Sequence, residues 1–216
     1  MSKKSIVQEP EVLIEEIRTS KRDKVGILGG TFNPPHLGHL IMAEQVKDQL
    51  DLDKIFFMPT AEPPHASVTK TTIASDVRVH MLELATMDNP DFEIERFEVD
   101  QGGKNYTYNT MKALIELYPT VDFYFVVGAD MIADMPTWYK IDELVQLVQF
   151  VGVNRPGYLG ETDYPIIMVD IPSTDISSSN IRKKVAQDCS IKYLVPEDVR
   201  NYIALEGLYQ DDETSD

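Results

Sequence analysis

Three observations predict an α/β fold in which helices cover both faces of a doubly wound, mainly parallel sheet. Short apolar runs suited to buried strands alternate with stretches of helical apolar spacing along most of the chain. The first apolar run passes through a glycine-rich turn straight into a helical segment, the strand-loop-helix order from which such sheets are wound. No internal repeat or linker divides the core, and a single domain of 216 residues buries roughly 70% of its unfolded surface.

Residues 1–23 form a polar N-terminal extension, in which 11–18 suit a short helix with Leu13 and Ile17 on one face. The domain spans residues 24–209, and residues 210–216 are an acidic tail. Lys24-Val25-Gly26-Ile27-Leu28 predicts the first strand, and residues 40–50 a helix. Ile55-Phe56-Phe57-Met58 predicts a buried strand stopped by Pro59, followed by a loop carrying Pro63-Pro64-His65. Val77, Met81, Leu84 and Ala85 give residues 76–87 a helical stripe, whereas Phe92-Glu93-Ile94-Glu95 alternates like a strand. A loop through Gly102-Gly103 leads to a helix over 108–118. Residues 122–127 predict the central buried strand, ending at Gly128-Ala129-Asp130. A helix over 140–148 presents Ile141, Leu144, Val145 and Val148, and strands follow at 150–153 and 166–169. Ser177-Ser178-Ser179 and Pro196-Glu197-Asp198 open the last two helices. The resulting architecture is Rossmann-like, with the loops after Leu28, Val127 and Val169 on the carboxyl edge where such sheets bind ligands.

Composition narrows the function. A net charge of −16 argues against a nucleic-acid partner, which would need a basic footprint. It also requires that any anionic ligand be held by local positive charge and helix N-termini. No apolar run approaches the roughly 20 residues of a membrane span, and the N-terminus lacks the apolar core of a signal peptide. The one cysteine, Cys189, rules out an internal disulfide, so a cytoplasmic protein is expected. A homo-oligomer stays open.

The chemistry concentrates in Gly29-Gly30-Thr31-Phe32-Asn33-Pro34-Pro35-His36-Leu37-Gly38-His39. Gly29 and Gly30 allow close backbone approach to a ligand, and Gly38 removes a side chain at the helix start. His36 and His39 stand one turn apart and face the same way, suited to phosphate at a helix N-terminus. A zinc pair is the alternative, but no cysteine cluster or third ligand accompanies them, so no metal site is assigned. In the Ser177 helix the serines are good caps, yet Arg182, Lys183 and Lys184 follow near what should be the positive end of the dipole. Each such cation costs about 0.3–1 kcal/mol when exposed, which an anion bound there would offset. Lys183 and Lys184 also read as ordinary solvated lysines.

Together these stretches resemble bacterial nicotinate-nucleotide adenylyltransferases, within the wider HxGH nucleotidyltransferases. Residues 29–39 match the GGTFxPxHxGH signature. Ile176-Ser177-Ser178-Ser179-Asn180-Ile181-Arg182 is similar to ISSTxIR, with Ser179 for the usual threonine. Further segments match in order: Pro63-Pro64-His65, Tyr106-Thr107-Tyr108-Asn109-Thr110, residues 127–131, Pro136-Thr137-Trp138-Tyr139 and Tyr193-Leu194-Val195-Pro196. The resemblance covers residues 24–209 and implies adenylyl transfer from ATP to nicotinate mononucleotide, giving deamido-NAD and pyrophosphate.

It further implies that His36, His39 and Arg182 are catalytic, His39 at the reacting phosphate and Arg182 at the departing pyrophosphate. Gly29, Gly30, Thr31, Phe32, Gly128, Asp130, Ser178 and Ser179 would bind ATP, accompanied by Mg²⁺ held largely by phosphates and water. Asn33, His65, Thr107, Trp138 and Tyr139 would bind nicotinate mononucleotide, Trp138 stacking on its ring. From the residues alone, Asp130 reads equally as a helix cap, and Trp138 as a core residue in line with Ile141. Two positions depart from the family: Ala66 stands where a lysine often follows Pro-Pro-His, with Lys70 the nearest substitute, and Asn33 stands where many members have aspartate. Rival readings are a pantetheine-phosphate adenylyltransferase, a cytidylyltransferase, or a nucleotide-binding sensor without catalysis.

Overall fold

The computed structural model describes residues 21–62, 72–154, 162–172 and 174–210. Six strands, β1 (Asp23–Gly30), β2 (Lys54–Pro59), β3 (Phe92–Ile94), β4 (Val121–Gly128), β5 (Gln149–Asn154) and β6 (Ile166–Asp170), form one sheet. Their order is β3-β2-β1-β4-β5-β6, and every neighbouring pair is parallel. The expected Rossmann-like α/β class therefore holds, with the sheet parallel throughout. The chain leaves β1 toward one edge and returns to β4 on β1's other side. A crevice opens at that switch, beyond the carboxyl ends of the two strands.

The helices are α1 (Leu37–Leu50), α2 (Ser75–Thr86), α3 (Phe97–Gln101), α4 (Thr107–Leu117), α5 (Ala129–Asp134), α6 (Ile141–Leu147), α7 (Ser178–Ala186) and α8 (Glu197–Leu205). Strand alternation sorts the core into two layers. Leu28, Phe57, Tyr124, Val126 and Val151 meet Ala43, Val46 and Leu50 of α1 and Leu82 of α2. Val25, Ile27, Phe56, Phe125 and Phe150 meet Met111 and Leu114 of α4 and Ile141 and Leu144 of α6. A third cluster packs Ile181 of α7 and Val199 and Ile203 of α8 against Met81 of α2. That last contact brings the C-terminal helices to the crevice.

The sequence reading located all six strands but not α3, α5 or the 3-10 turn Met135–Thr137, which are too short to show a period. It also misread one electrostatic detail. Because α7 has nine residues, Lys183 and Lys184 lie in its last turn, where the dipole favours cations. Arg182 alone remains to be explained. The short helix expected at 11–18, the segment bearing His65, Ala66 and Lys70, and the tail from residue 211 lie outside the described residues.

Between α3 and α4, Thr110 Oγ1 donates to the Glu98 carboxylate at 2.8 Å, and both residues are buried. Burial pushes the Glu98 carboxyl above its ordinary value, partly offset by this bond. The folded state thus holds the proton to higher pH than the unfolded one, so ionisation of Glu98 costs stability as pH rises above about 4.5. Glu98→Gln keeps an acceptor for Thr110 and removes the charge. Its urea midpoint should exceed wild type by more at pH 8 than at pH 5, and equal differences at the two values would refute this assignment.

Candidate active site

β1 ends at Gly29 and Gly30, and the chain then turns sharply at Phe32, whose φ of 50° is left-handed. A non-glycine residue adopts that conformation only where its surroundings enforce it. Here the buried Phe32 ring supplies the enforcement, packing against Phe57 at 5.8 Å and edge-on to His39 at 4.9 Å. The Asn33–Pro34 peptide is cis. His36 is the N-cap of α1, and its ring stacks on that of His39 with centroids 3.6 Å apart.

The backbone decides the state of His39. The His36 N–H donates to His39 Nδ1 at 3.2 Å, so Nδ1 serves as an acceptor and the proton resides on Nε2. Burial holds the His39 imidazole well below its ordinary value of 6.5, and the neighbouring His36 lowers it further. His39 is therefore a neutral imidazole with a fixed tautomer and one N–H donor. In the first turn of α1, the Leu37 N–H is satisfied by the Leu194 carbonyl at 3.0 Å. The Gly38 N–H has no acceptor among the described residues.

Gly38 has a more local purpose than the sequence suggested. A Cβ there would stand 3.0 Å from both His36 Nδ1 and Thr174 Oγ1, so the missing side chain makes room for the imidazole. Gly30 likewise faces the Phe32 ring, within 3.1–3.3 Å of where its Cβ would lie. Nothing among the described residues lies within 4 Å of where a Cβ on Gly128 would stand, so the end of β4 faces open space there.

The start of α7 docks on this turn. Ser177 caps the helix by accepting from the Asn180 N–H at 3.2 Å. Ser178 Oγ donates to the Pro34 carbonyl at 2.8 Å, and Arg182 Nη1 to the Asn33 carbonyl at 3.0 Å. With the Ser178 hydroxyl proton so engaged, what this end offers an anion is backbone N–H and the Arg182 charge. Tyr209 Oη donates to Asn33 Oδ1 at 2.8 Å, closing the turn from below.

His36, Gly38, His39, Gly128 and Ser178 line one cleft of about 270 Å³, together with Thr174 and Ile176. The structure thus brings together residues from three of the predicted segments at the crevice. Gly29, Gly30, Thr31 and Phe32 support this wall from β1 and the turn, and Phe32 is buried behind it. Asp130 lies in the first turn of α5. Ser179 is exposed on α7, and Thr107 begins α4. Trp138 is half-buried, its ring edge-packed on Phe125 and Phe150 at 6.1 Å from each. Tyr139 is exposed beside Tyr106, at 5.0 Å, and Tyr108, at 6.0 Å. A larger cleft of about 480 Å³ between α7 and α8 contains none of the predicted site residues.

Sequence reading missed Arg78 and Tyr209. Both reach the turn from helical or C-terminal segments that carry no recognisable motif, and the one available signal was an arginine within the apolar stripe of residues 76–87.

Comparison with known proteins places this geometry. Residues 27–184 match the cytidylyltransferase-like family. The chain is 53% identical over 212 residues to an Enterococcus faecalis protein named "Probable nicotinate-nucleotide adenylyltransferase", covering 97% of this chain and 96% of that protein. A Lactiplantibacillus plantarum protein of the same name is 52% identical, over 93% of this chain and 94% of its own. The fold is also similar to that of a Plasmodium falciparum nicotinic acid mononucleotide adenylyltransferase complexed with NaAD. That likeness has a TM-score of 0.74 at 22% identity and covers 87% of this chain and 98% of the other.

Proposed function

As a nicotinate-nucleotide adenylyltransferase of the cytidylyltransferase-like family, the chain transfers the adenylyl group of ATP to nicotinate mononucleotide, and we propose that the cleft between α1 and α7 is where the transfer takes place. The products are deamido-NAD, for NAD biosynthesis, and pyrophosphate. The observation that carries the assignment is the docking of Ser178 and Arg182 onto the carbonyls of Asn33 and Pro34, which sets two helix N-termini on one cleft.

The acceptor's phosphate monoester has a second pKa of about 6 and is largely ionised at neutral pH, so it attacks without a general base. A bond forms between one of its oxygens and the α-phosphorus of ATP. The bond from that phosphorus to the bridging oxygen breaks, and pyrophosphate departs with the electron pair. His39 donates its Nε2–H to the α-phosphate oxygen that gains charge, and the Gly38 N–H joins it at the positive end of the α1 dipole. His36 supports the His39 ring by stacking. Arg182, with the backbone N–H groups of Ser178 and Ser179, holds the β- and γ-phosphates and then pyrophosphate.

Open space at Gly128 accommodates adenosine, and Asp130, two residues on in α5, suits its ribose hydroxyls. Asn33, Thr107, Trp138 and Tyr139 would make up the acceptor side, joined on the family resemblance by His65, with Trp138 offering an aromatic surface to the nicotinate ring. The described residues contain no cluster of three or more His, Cys, Asp or Glu able to hold a metal. Mg²⁺ arriving with ATP would take phosphate and water ligands and would neutralise phosphate charge.

Two measurements test this reading. Pyrophosphate release should be fastest with nicotinate mononucleotide and ATP, slower with the amide mononucleotide, and absent with phosphopantetheine; turnover of phosphopantetheine alone would overturn the acceptor. Because His39 acts as a neutral donor, kcat/KM for ATP should stay level between about pH 7 and 8.5, above the ordinary imidazole range. A tenfold fall per pH unit there would instead show that an imidazolium is required.

A further inference from the structure

Arg78 of α2 is 1% exposed, among the most deeply buried of the described side chains, and it neither lines the cleft nor hydrogen-bonds to His36 or His39. Its guanidinium donates to four backbone carbonyls: Nη1 to Thr31 at 2.7 Å, Nη2 to Thr60 at 2.7 Å and Ala61 at 3.1 Å, and Nε to Ile73 at 3.2 Å. No carboxylate among the described residues pairs with it. Burial lowers its affinity for the proton, yet an arginine stays charged at any working pH. A buried cation without a counter-ion is a costly arrangement for simple packing, which an apolar residue of similar volume would serve as well.

The four carbonyls explain its placement. Thr31 belongs to the phosphate turn after β1, Thr60 and Ala61 follow β2, and Ile73 precedes α2. The guanidinium therefore ties the phosphate turn to both ends of the connection between β2 and α2. Its five N–H groups are fixed in one plane, so it constrains direction as well as distance. Its charge also lies directly behind the turn in a chain whose net charge is −16.

We propose that Arg78 is a positioning residue for adenylyl transfer, holding the phosphate turn in register with the β2–α2 connection so that the two substrates meet in line. The inference rests on the adenylyl-transfer reading above. Lysine at this position keeps the charge but cannot hold four carbonyls, and methionine loses both.

In Arg78→Lys, kcat measured per folded molecule should fall about 10- to 100-fold, the scale of a misplacement of about 1 Å. Its Kd for a non-hydrolysable ATP analogue should change by less than about threefold, because the local charge persists. Arg78→Met should show the same loss of kcat and additionally weaker binding of the analogue. Folded variants with kcat within about twofold of wild type, differing only in melting temperature, would reduce Arg78 to a structural role. If neither variant folds, the Nε–H nuclear magnetic resonance of Arg78 in the wild-type protein decides. It should shift on addition of the ATP analogue and again on addition of nicotinate mononucleotide, and a resonance indifferent to both would overturn the proposal. Failure of the adenylyl-transfer reading is distinguishable, since wild-type protein would then release no pyrophosphate from ATP and nicotinate mononucleotide.

Discussion

Replacing His39 with alanine should lower kcat by about 100- to 1,000-fold, the effect of removing one donor aimed at developing charge. The KM for ATP should change much less. On the proposed mechanism the Nε2–H bond strengthens as negative charge accumulates on the α-phosphate oxygen, so its loss would fall on the transition state rather than on binding. His39→Gln separates hydrogen bonding from packing, because its amide places an N–H near the imidazole Nε2 position. It should recover part of the lost rate. Steady-state pyrophosphate release, with folding verified by thermal denaturation, makes the comparison. A His39→Ala enzyme within threefold of wild type would remove this residue from the chemistry.

Arg182→Ala should reduce kcat/KM for ATP by about 100- to 1,000-fold, since it removes a charged donor from the leaving group. The side chain also ties α7 to the Asn33 carbonyl, and losing that bond loosens one wall of the cleft. Arg182→Lys, which keeps charge without the planar fork, should fall between the two. Because the same contacts would receive pyrophosphate in the reverse direction on the proposed mechanism, the KM for pyrophosphate in ATP synthesis from deamido-NAD should rise in parallel. An unchanged pyrophosphate KM would place Arg182 away from the leaving group.

The histidines and the serine-arginine segment were legible because each is a local pattern: a glycine-rich turn at a helix start, and polar caps followed by a cation. That they share the carboxyl edge of the sheet followed from the strand-helix alternation, but their direct contact was not legible. Ser178 and Arg182 reach Pro34 and Asn33 across 144 and 149 residues, and nothing in either stretch specifies that contact except the family resemblance. The dipole argument grouped Lys183 and Lys184 with Arg182 near the positive end, although in a helix of nine residues those two sit at the favourable end. Arg78 was hidden for a different reason. In a helical stripe a lone arginine reads as a solvated edge, and its four acceptors are backbone carbonyls that leave no mark in the sequence. The state of His39 was hidden too, since its tautomer follows from one backbone N–H.

The bond from Tyr209 to Asn33 spans 176 residues, and the Leu194 carbonyl caps the helix that bears both histidines. During synthesis the strand, the turn and the two imidazoles leave the ribosome first, whereas Tyr209 emerges 176 residues after the Asn33 it binds. A nascent chain can therefore build most of its sheet while still lacking a working centre. The hydrogen bonds around the turn and the start of α1 are complete only once residue 209 is free. A product cut short before Tyr209 would carry both histidines yet lack the bond that closes their turn.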